Sequence, residues 1–161
     1  MNEEEEQQIA LELFQRAYNH QMKGELDEAV DLYKKSIEIY PTAEAHTFLG
    51  WTYSFMGNYD EAIAECRHAI EIDPDFGNPY NDIGAYLIEQ GSLDEAIPWL
   101  ERAARATRYE NYCFPHYNLG RVYERKHQWQ KAKECYREAL QHNPKYSLAK
   151  TSLRRLQAMM N

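Results

Sequence analysis

The sequence predicts an all-α chain of four antiparallel helix pairs closed by a C-terminal helix. Three observations carry this. The phrase Gly24-Glu25-Leu26-Asp27-Glu28-Ala29 recurs as Gly57-Asn58-Tyr59-Asp60-Glu61-Ala62 and Gly91-Ser92-Leu93-Asp94-Glu95-Ala96, with a degenerate copy at His127-Gln128-Trp129-Gln130-Lys131-Ala132, at spacings of 33, 34 and 36 residues. A second phrase precedes the last three copies: Leu49-Gly50-Trp51-Thr52-Tyr53, Ile83-Gly84-Ala85-Tyr86-Leu87 and Leu119-Gly120-Arg121-Val122-Tyr123. Pro41, Pro74 and Pro144 then end apolar-periodic runs. Composition agrees, since only 7 Gly and 6 Pro interrupt 161 residues, and valine occurs only at Val30 and Val122.

Each unit reads as helix, turn, helix, turn, over residues 10–42, 43–76, 77–112 and 113–146, with a closing helix over 147–161, all within one domain 1–161. In the second unit Ala62, Ile63, Cys66, Ala69 and Ile70 recur at steps of 3 and 4, which places them on one helical face. Glycine inside a helix costs about 1 kcal/mol relative to alanine. Gly50, Gly84 and Gly120 are therefore expected where a neighbouring helix comes close, as are the pairs Ala62 and Ala69, Ala96 and Ala103, Ala132 and Ala139. Asp and Glu opening three of the second helices suit the positive end of the helix dipole. In the third unit Pro98 falls one turn into the second helix and is expected to disturb its start. The segment Thr107–Tyr112 has no proline, so a longer connection is expected before the fourth unit, with Pro115 in the first turn of the next helix. The closing helix carries Leu148, Ala149, Leu153 and Leu156 at helical spacing, with Lys150, Arg154 and Arg155 between them.

These residues resemble the tetratricopeptide repeat family. The fourth unit matches at Leu119, Gly120, Tyr123, Ala132, Tyr136, Ala139 and Pro144, and the second at Leu49, Gly50, Tyr53, Ala62, Ala69 and Pro74, with Cys66 in a slot that is usually larger. The third keeps Tyr80, Ile83, Gly84, Leu87, Ala96, Leu100 and Ala103 but has Arg108 in place of the closing proline. The first keeps Leu13, Ala17, Gly24, Ala29, Tyr33 and Pro41 but has Arg16 and His20 at usually apolar positions. The resemblance implies a right-handed superhelix whose first helices line a concave groove, with positions 2, 5, 9 and 12 of each unit facing it. On this sequence the candidate groove residues are Phe14, Tyr18, Thr47, Trp51, Asn78, Asn81, Tyr117 and Arg121. Rings of this kind supply much of the energy at interfaces, and Asn78 and Asn81 can each pair with an extended peptide backbone. The expected ligand is a peptide segment or a helix of a protein partner.

One subclass of the family grips the C-terminal carboxylate of chaperones with two Lys, two Asn and an Arg. Here those slots hold Phe14, Tyr18, Phe48, Asn78 and Asp82 in one frame, and Thr47, Trp51, Asp82, Phe114 and Asn118 in the other. Neither frame supplies the cations, so no chaperone tail is expected.

The formal net charge of −8 argues against a nucleic-acid partner, which requires a basic surplus. The charge is split, −15 over residues 1–112 and +7 over 113–161, so the alternative function is head-to-tail self-association into a homo-oligomer. Cys66, Cys113 and Cys135 show no paired spacing, which suggests a reducing, cytoplasmic setting rather than a disulfide framework. The acidic start Glu3-Glu4-Glu5-Glu6 is unlike a secretory signal, and no apolar stretch approaches a membrane span. No two of the six histidines lie three or four residues apart, so neither a metal site nor a cofactor is expected. Cys113 and His116 lack an orienting third group, and no phosphate-binding glycine loop is present, so no enzyme activity is expected.

Overall fold

The computed structural model describes all 161 residues as nine helices and no strand: α1 Glu3–Met22, α2 Leu26–Ile39, α3 Ala43–Phe55, α4 Tyr59–Ile72, α5 Gly77–Glu89, α6 Leu93–Arg105, α7 Cys113–Arg125, α8 Trp129–His142 and α9 Ser147–Met160. They form two compact units, Met1–Pro74 and Asp75–Asn161. In the first, α1 pairs with α2 and α3 with α4, while α3 also packs on α2 and touches α1. In the second, α5 pairs with α6 and α7 with α8, α7 packs on α6 and α5, and α9 covers α8. The fold class is that of four helix pairs and a closing helix.

Local chemistry sets the helix ends. Asn2 caps α1 reciprocally: its Oδ1 accepts from the Glu5 amide at 2.9 Å, and its own amide donates to Glu5 Oε2 at 3.2 Å. Thr42 Oγ1 accepts from the Ala45 amide at 3.0 Å and starts α3. Helices α2, α4 and α6 begin without a side-chain cap but carry an Asp-Glu pair in the first turn. Between paired helices the chain turns through the left-handed region, at Gly91 with φ 80° and at its counterpart His127 with φ 61°. The degenerate fourth copy therefore makes the same turn, with the His127 ring against Trp129 at 5.0 Å.

Close approach explains the glycine of the second phrase. A β-carbon on Gly120 would lie 2.6 Å from Tyr136 Cδ1 and 2.9 Å from Cζ, inside the ring's van der Waals envelope. Helix α6 runs unbroken through Pro98, its sixth residue, with the loss of one intrahelical amide bond. The connection from α6 to α7 spans residues 106–112, against 40–42 between α2 and α3. It is pinned by two backbone bonds, Arg108 N–H to the Asp75 carbonyl at 2.9 Å and Gly77 N–H to the Arg108 carbonyl at 3.0 Å. Arg108 takes the place of the missing proline in a further way, its guanidinium lying 3.9 Å from the Phe76 ring centroid.

Each unit has its own core. In the first, Ala17, Ala29, Val30, Leu32, Tyr33 and Leu49 are buried together. Tyr33 is fully enclosed and its hydroxyl donates to Gln21 Oε1 at 2.7 Å. In the second, Ala132, Tyr136 and Leu156 form a cluster roofed by Tyr117, Tyr123, Trp129 and Leu153. No helix is long and apolar enough to cross a membrane.

Candidate functional site

In the first unit, α1 and α3 present an aromatic ladder. Phe48 makes T-shaped contacts with Phe14 at 5.2 Å, Tyr18 at 5.9 Å and Trp51 at 5.8 Å. Trp51 in turn lies 5.0 Å from Phe55. The ladder is anchored at Phe14, which also packs on Tyr33 at 5.5 Å. It opens to solvent at Tyr18, 38% exposed, and Phe55, 58% exposed, with Trp51 half-buried between. Phe14 also borders a cavity of about 470 Å³ with Leu11, Ser36, Tyr40 and Glu44 on its walls. Thr47 is different: it is buried and its hydroxyl donates to the Ala43 carbonyl at 2.7 Å, so its polar atom is already used within α3.

The second unit presents a polar wall on α5 and α7. Asn118 Nδ2 donates to Asn81 Oδ1 at 2.9 Å, both residues being 7% exposed. Arg121 donates from Nη1 to Asn118 Oδ1 and from Nη2 to Glu89 Oε1, each at 3.0 Å. Asn81 and Arg121 are thus linked through Asn118, which aligns the first helices of the third and fourth pairs. Such a buried amide pair satisfies the hydrogen-bonding demand that burial of Asn81 creates. Asn78 is half-buried beside a cavity of about 230 Å³ with Arg108 and Tyr109. Tyr117 is half-buried, its ring 5.3 Å from Tyr146 and 5.7 Å from Tyr136.

Other ionisable groups are tied down. Glu124 accepts from the Tyr136 hydroxyl at 2.8 Å and from Arg155 Nη2 at 3.0 Å. Burial raises its carboxyl, but the hydrogen bonds from Arg155 and Tyr136 and the Arg155 charge outweigh this and hold it below the usual range. Cys113 is buried as the first residue of α7. Burial pushes its thiol up, and it pushes the Cys135 thiol up to about 11, so both are poor nucleophiles near neutral pH.

Sequence spacing did not single out two groupings. Phe48, Trp51 and Phe55 are three aromatics at steps of 3 and 4 on one helix, a pattern that marks the ladder once Phe55 is counted with the groove positions. Glu138 and His142, one turn apart on α8, meet His116 of α7, with their ligand atoms within 4.8 Å of one another. A search for histidine pairs passes over them, because the pair within one helix is a carboxylate and an imidazole.

Comparisons with known proteins agree with this architecture. The tetratricopeptide repeat family profile matches residues 9–75 and 75–145. The chain is similar to the small glutamine-rich tetratricopeptide repeat-containing protein 2 of Mycosarcoma maydis, with 33% identity over 70 residues, 43% of this chain and 20% of that protein. It spans 15% to 26% of the length of the curated relatives that it matches. Among solved structures, Pseudomonas aeruginosa pilF superimposes with a TM-score of 0.89 at 24% identity, over 96% of this chain and 70% of that one. YrrB, described as a TPR protein with an unusual peptide-binding site, gives a TM-score of 0.72 at 21% identity, over 89% of this chain and 73% of that one. At these identities the likeness to both structures is one of fold.

Proposed function

Because this chain belongs to the tetratricopeptide repeat family, we propose that it is a non-enzymatic interaction module that takes a peptide segment or short helix of a partner protein on its first helices. The family's fold is generally a protein-interaction scaffold, and YrrB offers a peptide-binding precedent on this architecture. The observation that carries the proposal here is the ladder Tyr18–Phe48–Trp51–Phe55, held to the core through Phe14 and open to solvent at Tyr18 and Phe55. Rigid rings held by neighbours lose little conformational freedom on binding, which favours them as anchors. Apolar side chains of an incoming helix, spaced at i and i+3 or i+4, fit such a ladder. The acidic total supports a protein rather than a nucleic-acid partner. In the second unit Asn78 and Tyr117 offer half-buried contacts, whereas Asn81 acts by holding Asn118 and Arg121 in place.

The test is selection of a 15-residue peptide from a displayed library against the whole chain, followed by calorimetric titration of variants. Trp51→Ala and Tyr18→Ala should each weaken the selected peptide at least tenfold, about 1.4 kcal/mol, with helicity and melting little changed. Equal affinity in both variants rejects the ladder as the binding surface. Asn81 is a poor probe, since its replacement strands Asn118 in a buried position.

A second reading, charge-driven self-association, is favoured by one observation. The first unit carries 5 Lys or Arg against 16 Asp or Glu, and the second 13 against 10. Opposite signs attract end to end in a heterologous contact. Light scattering separates the readings: mass that falls as salt rises supports assembly, and a monomer at low salt removes it.

A further inference from the structure

His116 is the fourth residue of α7, and Glu138 and His142 lie one turn apart at the end of α8. Antiparallel packing brings the start of α7 against the end of α8, so the three side chains converge from two helices. Their ligand atoms all lie within 4.8 Å of one another, and His142 Nε2 is 3.6 Å from Glu138 Oε1. The two imidazole rings stand 5.1 Å apart at only 9° between planes. On a tetrahedral ion with metal–nitrogen bonds near 2.05 Å, two ligand atoms are about 3.3 Å apart and two imidazole centroids about 5 Å. The centroid spacing is that of a liganded pair, but rings that share one ion through in-plane lone pairs do not stay stacked. Binding therefore requires the imidazoles to turn about their side-chain torsions, a motion open to the part-exposed His142. The Tyr112 ring, 5.7 Å from that of His142, walls one side. The side chains of His142 and Glu138 are 39% and 46% exposed, which leaves a path for an ion from solvent.

We propose that His116, Glu138 and His142 form a binding site for one divalent transition-metal ion of the zinc class. Two imidazole nitrogens and one carboxylate oxygen suit borderline ions, whereas magnesium and calcium demand more oxygen ligands. Three protein ligands leave a position for water or for a donor from another molecule. The bound ion ties α7 to α8, and because the unfolded chain does not hold the three groups together, binding stabilises the native state.

The second helix pair supplies an internal control. His46 of α3 faces Glu65 and His68 of α4 in a similar way, but its Nδ1 is engaged with Glu65 Oε2 at 2.7 Å and the His46 and His68 rings are tilted by 39° at 5.4 Å. No three ligand atoms converge there as they do in the fourth pair.

Titration of the full chain with Zn²⁺ at pH 7.5, by calorimetry and by melting, tests the proposal. The expected result is one ion per chain, a rise in melting temperature with Zn²⁺ and none with Mg²⁺. Co²⁺ in place of Zn²⁺ should give the intense visible absorption of a four-coordinate site. H116Q and H142A should each weaken Zn²⁺ at least tenfold, while the double variant H46Q/H68Q binds as the parent does. Should H116Q fail to fold, the surface substitution H142A carries the test alone. Zn²⁺ binding that survives in H142A, or that never saturates at one ion per chain, means an adventitious ion only and overturns the site.

Discussion

On α5, Asp82 follows the buried Asn81, and burial pushes its carboxyl up to about 7 while a hydrogen bond with Asn81 works the other way. Its charge reaches Tyr109, where it adds to burial in raising the phenol. An unfolded Asp titrates near 4, so between about pH 4 and 7 the native chain holds a proton that the unfolded chain has released. Stability from this group is therefore full below about pH 4 and is lost as pH rises to 7. His116 acts in the opposite sense, since burial and His142 hold its imidazole below the usual range and stability rises with pH as the unfolded imidazole loses its proton. The difference between the parent and D82N isolates the carboxyl. Melting followed by circular dichroism should show D82N gaining a few degrees over the parent on going from pH 5 to pH 8, and a difference that stays flat refutes the assignment. Which residues share a face was readable from spacing; which of them keep a free polar atom was not. Trp51 is the ninth residue of its unit and Asn81 the fifth of the next, both expected on the groove, but Asn118 lies beside Asn81 and occupies its carboxamide oxygen. Thr47 is silenced by its own helix through the Ala43 carbonyl. The Asn81 pairing depends on a position in the next repeat, which no single-repeat pattern names.

At the scale of helices the boundaries were readable wherever backbone chemistry punctuates the chain, as at Gly91 and Pro74. The turn at His127 was recognisable only by register, because the residue carries no sign of the left-handed φ it adopts. Helix α1 starts at Glu3, ahead of the first unit read from residue 10. The Asn2 and Glu5 capping box marks that start in the sequence, but the repeat pattern does not extend to it. Replacing Gly120 with alanine gains about 1 kcal/mol in helix propensity but drives a methyl group into the Tyr136 ring. That ring is 1% exposed and its hydroxyl is bonded to Glu124, so it cannot swing aside. Overpacking of this kind costs about 1–3 kcal/mol, and the rigidity of the ring places Gly120→Ala toward the upper end, a net loss of roughly 1–2 kcal/mol. At Gly84 the obstacle is Leu100, whose Cγ would lie 2.5 Å from the new β-carbon and which is itself fully buried, so Gly84→Ala should be destabilising as well. Denaturant unfolding of both variants decides the matter, and a Gly120→Ala protein as stable as the parent contradicts the close approach of α7 and α8.

Across the whole molecule, stability follows neighbours, because each helix pair buries its apolar face only against the elements packed on it. The last pair depends on α9. Leu156 is fully buried against Ala132 and Tyr136, and Arg155 beside it holds Glu124, the acceptor for the Tyr136 hydroxyl. Removing the Leu156 side chain beyond its β-carbon should therefore cost about 2–4 kcal/mol through lost burial and the cavity left behind. For a chain of this length each kcal/mol lowers the melting temperature by roughly 2–4 °C. The loss should also be local: amide exchange in Leu156→Ala should quicken throughout α7, α8 and α9, while the amides of α1 to α4 keep their protection. Met159→Ala, on a side chain 54% exposed, is the control and should change neither melting nor exchange. Uniform loss of protection across all nine helices, or a Leu156→Ala protein that melts with the parent, would show that the closing helix does not carry the end of the stack.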